Sequence, residues 1–185
     1  LVSHPKVGKS MFAQQLAFSL TTGEDFLGFK VNPSHILYIT TEGDINQLQE
    51  RFKLMNLKPN VDKLHIIDID DIPDFYIRDI ERDIHELTFD KEPLFVIIDM
   101  FKDIKFDSDY NQNDYQEINN VVFKKFKEIC RKYNCTLFVT HHLNKSNGIP
   151  GSVGLTADAS GIMKLKESKN NCNKLTLDYK GRDFS

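Results

Sequence analysis

Four short apolar runs, His35 to Thr40, Leu64 to Asp68, Leu94 to Asp99 and Thr136 to His141, are separated along this chain by segments of helical period. Each run is rich in Ile, Val, Phe or Leu and lacks a clean polar alternation, so each reads as a strand buried on both faces. Such strands, alternating with helices, build a parallel sheet covered on two sides. Leu1 and Val2 read as the end of an earlier strand. The fold class expected is therefore α/β, a mostly parallel sheet with helices on both faces.

The helices are bounded by their own signals. Lys9 to Leu20 is closed by Gly23, and Asp44 to Met55 opens on Asp44 as N-cap with Gln47 three residues on. A third helix spans Tyr76 to Leu87. In a fourth, Tyr115 to Tyr133, Ile118, Val122, Phe126, Ile129 and Tyr133 form one stripe, and Lys124, Lys127 and Arg131 form an opposite face expected to be solvated. After Gly161 the period changes: Gly161 to Lys166, a polar turn from Glu167 to Asn173, and an alternation through Leu175, Leu177 and Tyr179 predict a C-terminal β-hairpin.

With 185 residues, 40% of them hydrophobic, the chain is expected to form one domain over 1–185 and, since it begins at Leu1, to be a fragment of a longer protein. Its longest apolar stretch, Leu94 to Ile98, falls far short of the roughly 20 residues of a membrane-spanning helix. Cys130, Cys135 and Cys172 have neither disulfide-framework nor zinc spacing, which points to reduced thiols and a cytoplasmic setting. A formal charge of -3 means that any contact with nucleic acid must come from local loops.

The chemistry concentrates where strands end. Ser3-His4-Pro5-Lys6-Val7-Gly8-Lys9-Ser10 lies between a strand stub and an apolar helix, the setting of a phosphate-binding loop, although Ser3 stands where that pattern opens with Gly. Residues Pro5 to Ser10 are the candidate cradle for the phosphates of ATP. Lys9 would neutralise β and γ oxygens, and Ser10 would offer its hydroxyl to Mg2+. Asp99, delivered by a buried strand, is the candidate acid for holding that magnesium through its water shell. Glu42, just past Thr40-Thr41, is placed to polarise an attacking water. Of the tandem His141 and His142, alternation sends one toward the nucleotide. Two side chains pointing apart make no zinc site without further ligands. Lys180 and Arg182 are candidates for reaching a neighbour's γ-phosphate in a ring.

Taken in order, Pro-Lys-Val-Gly-Lys-Ser at 5 to 10, Thr-Glu-Gly-Asp at 41 to 44, Val-Ile-Ile-Asp at 96 to 99, His-His-Leu-Asn-Lys at 141 to 145, Gly-Ser at 151 to 152 and Lys-Gly-Arg-Asp at 180 to 183 resemble the RecA-like ATPase domain of RepA-type replicative helicases, relatives of the DnaB helicase. The resemblance covers nearly the whole chain. It implies a RecA-like P-loop fold, with Glu42 as catalytic base, His142 as γ-phosphate sensor, and Lys180 and Arg182 as a pair acting in trans. It also implies a hexameric ring whose channel loops grip single-stranded DNA, the stretch Leu143 to Ser152 being the local candidate through Asn144, Lys145, Ser146 and Asn147. The function expected is ATP hydrolysis coupled to movement on or remodelling of single-stranded DNA. A RadA-like recombination ATPase and a nucleotide-binding switch with little turnover are the alternatives.

Overall fold

The computed structural model describes residues 1–41, 43–69, 72, 74–88, 94–101, 104–106, 118–143, 159–168 and 171–181. Among them are eight strands: β1 (Val2–Ser3), β2 (His35–Thr40), β3 (Leu64–Asp68), β4 (Leu94–Asp99), β5 (Thr136–Val139), β6 (His141–His142), β7 (Gly161–Ser168) and β8 (Asn171–Gly181). The helices are α1 (Lys9–Thr22), α2 (Ile45–Leu54), α3 (Ile77–Leu87) and α4 (Lys124–Tyr133), the last preceded by a π-helical stretch, Ile118–Phe123.

Two ladders, ordered β3-β2-β4-β5 and β6-β1-β7-β8, meet at Thr140. There the chain steps from one ladder to the other: Thr140 N still donates to Ile98 O of β4 at 3.0 Å, while His141 N donates to Leu1 O at 2.9 Å. Strand Thr136 to His141, read from sequence as continuous, is therefore split, and its second half extends to His142. Among the described residues these strands pair in parallel except in the β7–β8 hairpin. Parallel pairing brings the ends of β1, β2, β4 and β6 to one edge of the sheet, where α/β proteins place ligands.

Alternation along the strands separates two cores. Ile36 and Tyr38 of β2 and Ile97 of β4 pack under α1 and α2 with Leu16, Leu20, Leu48 and Phe52. Leu37, Ile39, Val96 and Ile98 pack on the other side with Ile80 and Ile84 of α3 and Phe126 and Ile129 of α4. Ala13 and Ala17, both fully buried, keep α1 close over the sheet, and this fixes where its N-terminus sits.

The caps explain the helix bounds. Asp44 accepts from Gln47 N at 2.8 Å, and Gly23, in the left-handed region at φ 83°, ends α1 with its N–H on Ser19 O. The fourth helix departs from the sequence reading by opening as a π stretch at Ile118, residues 115–117 lying outside the described residues. Of its basic face, Lys124 and Arg131 are exposed but Lys127 is half-buried. Lys125 and Lys132 instead pair with Glu81 of α3 at 2.8 and 2.9 Å. No helix among the described residues is long and apolar enough to cross a membrane.

Candidate active site

Between β1 and α1 the backbone curls through left-handed conformations at Lys6 (φ 66°) and Gly8 (φ 104°). A Cβ at Gly8 would find nothing nearer than Leu175 Cδ1 at 3.7 Å, so it is the backbone angle that calls for glycine there. Gly8 is the N-cap of α1 and brings no side chain to the helix terminus, which leaves the first-turn N–H groups for an anion. Along the loop His4, Pro5 and Lys6 are exposed and Val7, Gly8 and Ser10 half-buried.

Lys9 is only 6% exposed. Its Nζ donates to Ser3 Oγ at 3.2 Å and His4 O at 3.3 Å. It also lies 2.8 Å from Nδ1 of His142. An ammonium can only donate, so Nδ1 accepts and the imidazole proton belongs on Nε2. The serine that replaces the first glycine of the phosphate-loop pattern thus supplies a hydroxyl to the loop's own lysine.

Asp99, at the end of β4 and 6% exposed, is held from both flanking strands. Tyr38 Oη of β2 donates to Oδ2 at 2.8 Å. Thr140 Oγ1, on the other side, donates to Oδ1 at 2.7 Å. Burial, then the neighbouring Asp99 charge, pushes the Tyr38 hydroxyl well above its ordinary range, so it remains a donor. Thr41 ties the ends of β2 and β4 together: its N–H donates to Asp99 O at 2.9 Å, its hydroxyl donates to Met100 O at 2.7 Å and accepts from Met100 N at 3.1 Å. Glu42, the next residue, lies outside the described residues, as do Arg182 and 144–152.

The tandem histidines diverge. His142 meets Lys9, whereas His141 turns to the other face of the sheet, edge-on to Phe101 with ring centroids 6.2 Å apart. There it lines a cavity of about 410 Å³ with Val2, Phe126 and Cys130. Its buried Nδ1 has no hydrogen-bond partner among the described residues. Burial first, then the neighbouring His142 and Lys9, lower its pKa from 6.5 to about 4. The unfolded imidazole therefore takes up a proton near pH 6.5 that the folded one refuses until about 4. Stability is complete above that window and falls through it as the pH drops, by up to roughly 3 kcal/mol. His141→Phe, which keeps a ring against Phe101, is expected to flatten this acid-side loss in thermal melts taken across the window.

Lys180 is not brought to the same edge. It is exposed near the end of β8 and paired in register with Ile162, whereas Leu175 of the same strand lies beside Gly8. Five strand residues put Lys180 about 17 Å further along, away from the chain's own phosphate loop. Tyr38, Thr41 and Thr140 are the site residues that sequence reasoning missed. A tyrosine inside a strand buried on both faces was the available signal, because its hydroxyl must find a partner there.

A parallel sheet whose first strand runs into a phosphate loop, with an acid closing a strand two places away, defines a P-loop domain of the RecA-like ATPase type. The chain belongs to the AAA domain family, whose profile matches residues 1–148. Among solved structures it resembles one described as an "ATPase Domain", with a TM-score of 0.66 at 14% identity over 96% of this chain and 78% of that one. It also resembles "The Structure Of A DnaB-Like Replicative Helicase And Its Interactions With Primase", with a TM-score of 0.64 at 14% identity over 96% of this chain. The chain spans 53% of the length of that helicase. At such identities the likeness is one of fold. No curated protein matches the chain.

Proposed function

We propose that this domain binds and hydrolyses ATP and couples the reaction to movement on or remodelling of single-stranded DNA, as the motor core of a hexameric replicative helicase of the RepA type. The observation that carries the reading is Lys9, a buried ammonium at the mouth of a phosphate loop, in contact with His142 on the strand between the loop and Asp99. In this reading Pro5 to Ser10 wrap the phosphates, and Lys9 turns its ammonium from Ser3 and His4 toward β and γ oxygens. Contact between Lys9 and His142 gives the sensor a direct report of that exchange.

The oxygen donors fit magnesium: Ser10 offers a hydroxyl, and Asp99 a carboxylate whose two oxygens each keep room for a further hydrogen bond from a coordinated water. Magnesium, when bound, neutralises charge on the transferring phosphoryl group. Glu42 orients and polarises the attacking water. Lys180 and Arg182 act on the nucleotide of the next subunit, in keeping with Lys180 lying well away from its own loop. The stretch from Leu143 to Ser152 follows the sensor strand and contacts DNA.

Glu42→Gln decides among the readings. ATP binding is expected to persist while turnover, with and without single-stranded DNA, falls by at least about a hundredfold. Loss of binding would remove Glu42 from the base role. A wild-type protein that binds ATP yet turns none over, with or without DNA, would instead be a nucleotide-binding switch. Turnover with filament assembly and no unwinding would place it with RadA-like recombination ATPases.

A further inference from the structure

Buried carboxylates fix their rotamers through the donors around them, and Asp99 has one hydroxyl on each oxygen, from strands on opposite sides of β4. Tyr38 is 1% exposed and Thr140 fully buried. Neither hydroxyl is available to solvent, and both are committed to the same carboxylate. We propose that Tyr38 and Thr140 are positioning residues that lock the Asp99 carboxylate in the orientation receiving the water shell of nucleotide-bound Mg2+, and so set the magnesium requirement of the site. The proposal rests on the ATPase reading given above.

The chemistry favours orientation over simple packing. Each oxygen of a carboxylate has two in-plane lone pairs. One donor per oxygen leaves one lone pair on each, in fixed directions, for a coordinated water. Without the Tyr38 hydroxyl the carboxylate keeps only the Thr140 bond and turns about its own axis. Hydrogen bonds to a charged group contribute about 1.5–3 kcal/mol, enough to hold one rotamer against its alternatives. The Thr140 arm has a second consequence: Thr140 immediately precedes His141 and His142, so the acid's support and the sensor lie two residues apart where β5 passes into β6.

The test is Mg2+ titration of binding of a fluorescent, non-hydrolysable ATP analogue, with Tyr38→Phe, Thr140→Val and Thr140→Ser beside wild type. Tyr38→Phe and Thr140→Val are expected to raise the Mg2+ concentration for half-maximal binding about tenfold, with magnesium-free affinity unchanged within about a factor of two. Thr140→Ser, which keeps the hydroxyl, is expected to restore the wild-type curve. Unchanged Mg2+ curves in folded Tyr38→Phe and Thr140→Val would overturn the proposal, as would an equal loss of affinity with and without Mg2+. A wild-type protein that binds no nucleotide, indistinguishable from Lys9→Ala, would instead fail at the ATPase reading and take the proposal with it.

Discussion

Replacing Lys9 with alanine is expected to lower ATP turnover by at least about two orders of magnitude, the scale at which loss of one preorganised charge-stabilising donor is felt. Its fold is expected to survive, because Nζ bonds to Ser3 Oγ, His4 O and His142 Nδ1 at the phosphate loop and belongs to neither apolar core. Nucleotide titration beside a thermal melt checks both halves, and a fall in turnover with matching destabilisation would mean that Lys9 acts mainly as a structural tie.

Asp99→Asn is expected to have the opposite signature, losing both function and stability. An amide of the same shape presents one acceptor and one donor group to two hydroxyls that now both donate. One must turn or go unsatisfied in a buried place, costing about 1–3 kcal/mol. Turnover is expected to fall about a hundredfold or more, because the negative charge facing the magnesium shell is gone. Asp99→Ala should be less stable still, with both donors stranded. In the Lys9→Ala, Asp99→Asn double variant the turnover losses are expected to combine less than multiplicatively, as for groups acting on one phosphoryl transfer.

Strands β2, β3 and β4 have the bounds expected from composition, since each is a short aliphatic run ended by a polar residue at the sheet edge. The end of α1 at Gly23 and the cap at Asp44 were equally legible, being local signals. Lateral order was not. Nothing local in Thr136 to His142 says that this segment pairs with β4 up to Val139 and then with β1, and the break at Thr140 follows from that change of partner. The support around Asp99 escaped for the same reason, since Tyr38 and Thr140 are neighbours only across strands. The π-helical opening of α4 was hidden by its own pattern. Steps of four, such as Ile118 to Val122, run about 40° past a full turn of an α-helix and fall short of a full turn of a π-helix by a comparable angle, so the stripe reads alike for either. That only one of the tandem histidines faces the loop follows from strand alternation, and the family resemblance pointed to His142.

Among the described residues, the hairpin β7–β8 is registered to β1 at Val2 with Lys164, and Lys164 is paired in turn with Asp178. Measured from Asp178, Leu175 lies three residues one way, beside Gly8, and Lys180 two residues the other way. Were the hairpin to tilt as a rigid body about that pair, an outward push at Leu175 would appear at Lys180 reversed and about two-thirds as large.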